Sequence, residues 1–503
     1  MRRNFVWLLL LMLTMQMLIP GAYAEGSFSM AGYDDEATGH VWEDNLFFER
    51  MALLTGVEPE LTQYDTAAEW RAAKSAMLSG EMDLPDALFK ANLTPQETLA
   101  FYEAGKLIDL KPYLAQYAPN LWALLQSDPE WLQAITLPDG AIVALPYIDE
   151  LQFNNAMWIN QMWLRRYNLP MPTTAEELAE TLRFFRDNDM NANGKADDEI
   201  PLTFATLWDL RFLLHAFGVN ANDYYITMDE AGKVSEILTS DANREFLTWL
   251  NQLWDEGLLD TSGFTGLRSV TGTPEEDSEI VYGVIFASSP ADLVHVSKVD
   301  QYVLLDPLMY GGQQVYRDLT GDVIRGTFAI TSACEDPAAV LSWVDHLYTT
   351  AGFILAAAGQ AGEEFDYNDD GTWLWADVDE TLVNITLPQA TLHGDATTPG
   401  WADVAFQMKI DEASTVHILT ELGRLREIDS LPYPMVWLTE AQNTRVSELI
   451  FSIGSYAEQQ MVWFVAGDVE LNDETWAEFC QTVKALGVDE MVSIWQEAAD
   501  ALR

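Results

Sequence analysis

Apolar residues recur at helical spacing along much of the chain, and short strand-like runs separate the helices. The first clear amphipathic helix begins near Leu46, because residues 46, 47, 51 and 54 are apolar, and it ends at Gly56. Further helices are predicted at 67–79, 338–348, 476–486 and 488–495. Strand-like runs lie at 27–30, 84–89, 105–110, 282–286, 302–307 and 326–331. This alternation predicts an α/β fold with a parallel sheet.

A proline interrupts the strand-like run Leu145-Pro146-Tyr147 and removes one backbone donor from the sheet. We therefore expect the chain to cross there from a first lobe to a second. A helical, aromatic-rich segment follows, and strand character returns at Tyr282. We predict an N-terminal lobe of residues 25–145 and 282–350, and a C-terminal lobe of residues 146–281 and 351–503.

Carboxylates and amides alternate in the loop 189–199, which follows a helix that begins at the Thr-x-x-Glu capping box Thr174–Glu177. Gly194 permits the positive φ that points the next carbonyl inward. Six to eight oxygen ligands suit a hard cation, and Ca²⁺ fits best. We predict a structural Ca²⁺ site, although the twelfth position is Ile200 and not the Glu of an EF-hand. Its predicted ligands are Asp189, Asn191, Asn193, the Lys195 carbonyl, Asp197, and Asp198 or Glu199.

The motifs around this loop resemble a known family. In order they are Met157-Trp158-Ile159-Asn160, Trp163-Leu164, Leu169-Pro170-Met171-Pro172-Thr173-Thr174, and the loop ending in Ile200-Pro201-Leu202. They are similar to the extracellular solute-binding proteins (family 1) of carbohydrate ABC importers, in the calcium-loop-bearing branch with alginate- and oligosaccharide-binding proteins. The likeness extends from about Trp42 to the C-terminus. It implies a helix-rich, two-lobed periplasmic-binding-protein-like fold that captures an oligosaccharide in an interlobe cleft and delivers it to ABC permease subunits.

The first 24 residues have the pattern of a secretory signal peptide. Arg2 and Arg3 precede an apolar run that ends at Ile19, and Ala22-Tyr23-Ala24 offers a cleavage site. At roughly 15 residues, the run is short for a membrane span. Glu25 stands where a lipoprotein would carry a cysteine, so a lipid anchor is not supported, unlike in many Gram-positive members of the family. We expect a secreted protein held at the cell surface through the transporter.

The net charge of the chain limits the kinds of partner that it can bind. Acidic residues number 79 and basic residues 26, which gives a net charge of −53 at pH 7. Nucleic acid is thereby excluded, since its phosphates would be repelled, and the charge is typical of a soluble secreted protein. We expect a monomer. Cys334 and Cys480 provide no disulfide framework, and the sequence leaves open whether they pair.

Tryptophan is frequent, with 18 residues, and suits sugar recognition. An aromatic plate buries the apolar face of a pyranose while nearby polar groups bind its hydroxyls. The tryptophans singled out in turn-rich polar segments are Trp42, Trp208, Trp373, Trp375 and Trp401. Trp208 is the first choice because Asp209 and Arg211 lie beside it, although core packing explains any single tryptophan equally well.

Four polar residues lie where the chain is expected to cross between the lobes. Tyr147, Asp149 and Glu150 follow the proline-containing strand, and Arg325 precedes the returning strand. Residues at such crossings line an interlobe cleft, so all four are candidate ligand contacts. An ordinary surface ion pair explains Arg325 equally well.

A second acidic loop, Asp366 to Gly371 with Asp377 at the twelfth position, also approaches the EF-hand spacing. Trp373 and Trp375 alternate directly after Asp-Asp-Gly, which favours a β-hairpin over a second Ca²⁺ site. The sequence contains no His-Glu-x-x-His, Gly-x-Ser-x-Gly or Walker motif, so we predict a binding protein and no enzyme. The alternative is a secreted glycan-processing hydrolase, since a glycosidase needs only paired carboxylates.

Overall fold

The computed structural model describes residues 27–151, 155–195, 197–265, 274–318, 321–376, 387–392 and 397–502, without the side chains of residues 207, 208, 264 and 265. The predicted signal peptide lies outside this description. The strands are β1 Ser29–Tyr33, β2 Glu60–Tyr64, β3 Ala87–Phe89, β4 Leu145–Ile148, β5 Ala156–Asn160, β6 Ile200–Thr203, β7 Ile226–Met228, β8 Val234–Glu236, β9 Tyr282–Ala287, β10 Tyr302–Leu304, β11 Tyr316–Arg317, β12 Val323–Ile330, β13 Phe365–Tyr367, β14 Trp373–Trp375, β15 Gly400–Trp401 and β16 Asp429–Ser430.

Helices occupy most of the remaining described chain. The α-helices are Leu46–Thr55, Ala67–Ser79, Pro95–Glu103, Lys111–Tyr117, Pro119–Ser127, Pro129–Ile135, Gln161–Tyr167, Ala175–Asp187, Leu207–Leu210, Asp241–Asp255, Ser262–Thr265, Pro337–Asp345, Thr350–Ala357, Val404–Gln407, Ala413–Leu422, Glu440–Ala466, Asp473–Ala485 and Val488–Asp500. The 3₁₀ helices are Glu36–Thr38, Trp42–Asp44, Arg211–Phe217, Pro290–Asp292, Val296–Gln301, His346–Tyr348 and Gly423–Glu427. Within these ranges, no helix has both the length and the apolar character that a membrane crossing requires.

The first sheet has the strand order β15-β4-β12-β3-β1-β2. β12 runs antiparallel to both of its neighbours, whereas the other strands share one direction. Both faces are buried, because Ala87 and Phe89 of β3 enter one core and Leu88 enters another. The carboxyl ends of β1, β3 and β4 therefore meet at one edge, where open α/β sheets bind ligands.

Local signals in the sequence determine the helix ends. The helix Ala67–Ser79 begins where the Thr66 side chain accepts from the Glu69 N–H, and it ends at Gly80, whose φ is 85°. Trp70 and Met77 are buried on its inner face, and the Trp70 indole donates to the Ala91 carbonyl at 2.7 Å. The predicted bounds of this helix are confirmed.

The second sheet has the order β10-β5-β9-β6, and every residue of β5 is buried. Its core continues into the helices Glu440–Ala466, Asp473–Ala485 and Val488–Asp500. The predicted division of the chain needs a correction here. β9 and β10 were expected in the first lobe, but they flank β5 with antiparallel pairing and complete its core.

Within the described residues the chain passes between the two lobes at three places: after β4, between β11 and β12, and after β15, from which it continues into the helix Ala413–Leu422 packed against β10. It leaves the first sheet after β4 and returns between β11 and β12, while the distant strand β15 adds to the edge of β4. β15 was expected in the C-terminal lobe and is a second correction. The two cysteines lie in different cores and are both free. The remainder of the predicted division stays a prediction.

Candidate ligand site

A cavity of about 540 Å³ lies at the carboxyl end of β4. Its walls come from β4 and β15, the helix Thr350–Ala357, the β13–β14 hairpin, and the segment from Val404 to Leu422. Most of the lining is aliphatic or aromatic. The polar lining residues are Tyr147, Asp149, Thr398, Gln407, Glu412 and Thr415.

Aromatic packing builds one wall of this cavity. Trp373 stacks on Phe406 with ring centroids 4.6 Å apart and an interplanar angle of 7°, and its indole donates to the Phe406 carbonyl at 2.8 Å. Trp375 meets Trp373 edge-on at 5.1 Å and is only partly buried. Trp373 is therefore a fixed wall, and Trp375 offers a face to the cavity.

Two polar atoms in the wall have no partner among the described residues. β15 pairs with β4 so that Gly400 lies opposite Tyr147 and Trp401 opposite Ile148. The Trp401 Nε1 and the Thr398 Oγ1 are both buried and make no hydrogen bond. A buried polar group without a partner costs about 1–3 kcal/mol, so an acceptor from a ligand would stabilise both.

Carboxylates gather at the interlobe crossing behind Asp149. Burial raises the pKa of Asp149, and its Oδ1 accepts from the Leu151 N–H at 2.9 Å. Its backbone N–H donates to the carbonyl of Asp322 at 2.9 Å. Burial, and then the charges of Asp318 and Asp429, raise the pKa of Asp322 to about 7. The crossing is therefore a strongly electronegative environment.

Four of the sequence-predicted contacts meet in this cavity. They are Tyr147, Asp149, Trp373 and Trp401. Trp42 lies elsewhere: it is 1% exposed, and its indole donates to buried Asp34 at 3.0 Å. Burial opposes the ionisation of Asp34, but hydrogen bonds from His40 and the nearby Lys90 lower its pKa to about 2. Trp42 is thus a core residue, which corrects the prediction.

Glu150 and Arg325 also have partners within the protein. Glu150 forms an ion pair with Arg426. The Arg325 guanidinium lies over the Trp437 ring at 4.6 Å and donates to the Val436 carbonyl at 3.0 Å. Burial lowers the pKa of Arg325 to about 10. Arg325 matches neither the expected cleft contact nor a surface ion pair, because its guanidinium group packs on the ring of Trp437.

The side chain of Trp208 lies outside the described residues, but its surroundings are defined. Arg211 forms an ion pair with Glu458 at 2.6 Å and lies over the Tyr225 ring at 4.5 Å. The Asp209 Oδ2 accepts the backbone N–H groups of Ala205 and Thr206. A second recess of about 630 Å³ opens here, lined by Thr206, Arg211, Ser455, Glu458, Gln459, Val462 and Trp463.

The acidic loop 189–199 is curled by its own side chains. Asp189 accepts the N–H groups of Asn193 at 3.1 Å and Gly194 at 2.9 Å. The Asn193 amide donates to Asp198 at 2.7 Å and to the distant Glu279 at 2.9 Å. The Asp198 Oδ1 and the Glu199 Oε2 are buried without a partner. Over the described residues, no cluster of three or more Asp, Glu, His or Cys has metal-binding geometry.

The second acidic loop forms a hairpin. β13 and β14 pair antiparallel, and the Gly371 N–H donates to the Asn368 carbonyl at 3.0 Å. Asp370 accepts from the backbone and the hydroxyl of Thr372. The preference for a hairpin is confirmed, and Asp377 lies outside the described residues.

Sequence reasoning missed several contacts of the cavity. Phe353 lies in the helix Thr350–Ala357, Phe406 and Gln407 lie in the helix Val404–Gln407, and Thr398 precedes β15. No periodicity in the sequence connects these segments, because only the pairing of β15 with β4 brings them together. Trp375 was named among the tryptophans in turn-rich polar segments, and its alternation with Trp373 was visible in the sequence.

Comparison with known proteins identifies similar chains. No family model matches. FusA, the fructooligosaccharide ABC transporter substrate-binding protein of Streptococcus pneumoniae, is 25% identical over 481 residues, which cover 91% of this chain and 87% of FusA. A solved FusA EF-hand mutant in complex with fructo-nystose has a TM-score of 0.67 at 22% identity and covers 94% of this chain and 99% of its own.

Two further solved structures share the fold. An HMO binding ABC-transporter associated solute-binding protein from Bifidobacterium longum infantis has a TM-score of 0.77 at 20% identity, covering 95% and 99% of the two chains. The alginate-binding protein AlgQ2 without calcium ion has a TM-score of 0.64 at 20% identity, covering 94% and 98%.

The fold is therefore the two-lobed α/β fold of solute-binding proteins, as predicted. The predicted resemblance is also confirmed, because the homologue and the structural neighbours are carbohydrate-binding proteins of this kind. They are carriers and not enzymes.

Proposed function

We propose that this protein is an extracellular substrate-binding protein that captures an oligosaccharide between its lobes and delivers it to the permease of an ABC transporter. The observation that carries this proposal is the similarity to FusA over 481 residues. The aromatic cavity supports it, since partly exposed Trp375 beside Asp149 and Gln407 offers both an apolar face and hydroxyl partners.

The sugar would stabilise a closed arrangement of the lobes. The cavity combines residues of the first sheet, Tyr147 and Trp401, with Thr415 and Leu419 of the helix Ala413–Leu422, which packs against β10 of the second sheet. A ligand that contacts both sides favours the closed state by its differential affinity. Trp208 and the recess at Arg211 remain our proposed contacts on the second lobe.

Binding and product analysis test this function together. Isothermal titration calorimetry against a panel of neutral and acidic trisaccharides and tetrasaccharides should give saturable binding of at least one sugar. The recovered sugars should elute unchanged in anion-exchange chromatography. Shortened sugars would identify a hydrolase, and the absence of binding to every sugar in the panel would reject the proposal.

We further propose that the loop 189–199 holds a structural Ca²⁺. The residues fit the ion: the Asp198 Oδ1 and the Glu199 Oε2 are buried without partners, and hard oxygen atoms predominate. Asp189, Asn191, Asn193, the Lys195 carbonyl, Asp197, and Asp198 or Glu199 would hold it. The names of the FusA EF-hand mutant and of AlgQ2 without calcium ion support this proposal.

Hydrogen bonds connect this loop to distant elements of the fold. Arg166 donates to the Met190 carbonyl at 2.6 Å, Tyr167 donates to the Asp189 carbonyl at 2.9 Å, and Asn191 donates to the Ile280 carbonyl at 3.2 Å. A bound cation would neutralise the carboxylates and fix the loop between the helix Gln161–Tyr167 and β9. Its role is structural.

We also propose export through cleavage after Ala24, association with the cell surface through the transporter without a lipid anchor, and a monomeric state. The mass of the mature protein and sedimentation velocity test these points. A mature chain starting at Glu25 is expected, and an added lipid mass or a dimer would contradict them.

A further inference from the structure

We propose that the cavity at β4 selects uncharged, hydroxyl-rich saccharides and rejects saccharides that carry a carboxylate. This inference rests on the proposed function and names the substrate class of the same site. Three features of the cavity carry it: the sign of its charges, the mixture of its hydrogen-bonding groups, and its aromatic faces.

The first feature is charge. Asp149 and Glu412 line the cavity, and none of its described lining residues is a lysine or an arginine. Behind Asp149, the carboxyl groups of Asp322, Asp318 and Asp429 add further negative charge at the crossing. A sugar carboxylate would therefore enter a partly desolvated, electronegative site in which none of the described lining residues supplies a counter-charge.

Three arginines on neighbouring elements are already engaged within the protein. Arg426 forms an ion pair with Glu150, beside the cavity. Arg424 forms ion pairs with Asp306 and Glu421, and Arg325 is fixed over Trp437. If one of these guanidinium groups moved to bind an acidic sugar, its present contact would break. A carboxylate or an aromatic ring of the protein would then lose its cationic partner.

The second feature is the mixture of hydrogen-bonding groups. The buried Trp401 Nε1 can only donate, and the Thr398 hydroxyl also lacks a partner. Ionised Asp149 and Glu412 can only accept. A hydroxyl group can serve both kinds of partner, because it donates and accepts. A carboxylate could satisfy Trp401 but not Asp149, and an ammonium group could do only the reverse.

The third feature is the aromatic lining. Trp375 and Tyr147 are partly exposed and border the cavity, whose other walls include Phe353 and Ile410. Such faces bury the C–H groups of a sugar ring, and the ring needs no charge for that contact. The three features together describe a site for a neutral sugar.

A matched set of ligands tests the selection. The tightest-binding neutral trisaccharide from the calorimetric panel is compared with the same sugar after oxidation of one primary alcohol to a carboxylate, and with the methyl ester of that acid. At pH 7.5 the acid should bind about tenfold more weakly or worse. The methyl ester, which has similar bulk and no charge, should retain most of the affinity.

Variants locate the effect in the cavity. The double variant Asp149→Asn, Glu412→Gln should reduce the ratio of the dissociation constants of the acid and the neutral sugar. Asp370→Asn, on the exposed hairpin turn, should leave this ratio unchanged. This inference is overturned if the acid binds as tightly as the neutral sugar or more tightly, or if the ratio of their dissociation constants is the same in the double variant as in the unmodified protein. Either result leaves the carrier function intact. If only acidic sugars bind, this inference also fails, and if no sugar of the panel, neutral or acidic, binds at all, the proposed function itself fails.

Discussion

Two tryptophans on one strand show how much a residue's role depends on its contacts. Trp373 and Trp375 are separated by one residue on β14. Trp373 is 4% exposed, stacks on Phe406 and has its indole N–H satisfied, whereas Trp375 is partly exposed and borders the cavity. The same residue type therefore packs in the core at one position and borders the cavity two positions later.

Trp375→Ala should weaken sugar binding by about 1–3 kcal/mol, because an aromatic contact with the sugar is lost. Its melting temperature should change little. Trp373→Ala is the matched comparison and should lower the free energy of unfolding by about 3–5 kcal/mol. Calorimetric titration and chemical denaturation measure the two quantities. A Trp375→Ala protein with unchanged affinity and reduced stability would place Trp375 in the core.

A titratable residue at the crossing leads to a pH prediction. The pKa of Asp322 is about 7 in the folded protein, against the ordinary value of 3.8. The folded state thus binds a proton that the unfolded state loses between about pH 4 and 7, so stability should fall as pH rises through that window. Asp322→Asn, which mimics the neutral form, should remove this component and stabilise the protein at pH 8.

Solvent screening limits the expected gain from Asp322→Asn to about 1–2 kcal/mol. The backbone favours the exchange, since the φ of Asp322 is 63° and asparagine tolerates the left-handed region. Urea unfolding of both proteins from pH 5 to 8 measures the difference. Parallel curves for the two proteins would show that Asp322 does not titrate in this range.

At the scale of single elements, two acidic loops of similar composition differ in structure. The loop 366–371 is the turn of a hairpin, because its flanking residues pair as strands. The loop 189–199 has no such pairing across it, and its carboxylates and amides turn inward to hold the backbone. The flanking segments, and not the acidic residues, decide between a hairpin turn and a loop curled by its own side chains.

Asp189→Ala should abolish the response of the melting temperature to calcium. At a free concentration 100-fold above the dissociation constant, binding stabilises the folded state by about 2.7 kcal/mol, and a chelator should remove that gain. Sugar binding at low temperature should persist, since the loop lies outside the cavity. Differential scanning calorimetry with calcium or chelator measures the response.

Two further variants define the origin of this calcium effect. Asp198→Asn keeps the side-chain shape and removes a charge, so it should weaken the response. Asp370→Ala should retain the full response, because its carboxylate belongs to the hairpin turn. A melting curve of calcium-loaded protein that is indifferent to chelator would reject the structural role.

At the scale of the whole molecule, the net charge of −53 causes strong electrostatic repulsion among the charged groups of the protein. Sodium chloride shortens the screening length from about 30 Å at 0.01 M to about 8 Å at 0.15 M. The melting temperature should therefore rise with salt over this range in the presence of chelator. Potassium chloride is the control and should act equally at equal ionic strength. A melting temperature that stays constant or falls would contradict the prediction.

The sequence by itself determined the local structure and the class of the protein. Capping residues and glycines defined helices such as Ala67–Ser79, because these signals act within a few residues. The motifs around 157–202 indicated the family resemblance. The crossing after β4 was visible from Pro146, and the sequence also singled out Tyr147 and Asp149, which line the cavity.

Only the tertiary structure decided which distant segments meet. The pairing of β9 and β10 with β5, and of β15 with β4, depends on register between strands far apart in the chain. The same pairing placed Thr398 and Trp401 beside Asp149 and left their polar atoms without partners. Trp42 is buried because its ring packs against Phe48 and Phe89 and its indole donates to buried Asp34. Burial and pairing are properties of the packed molecule, and local sequence patterns do not encode them.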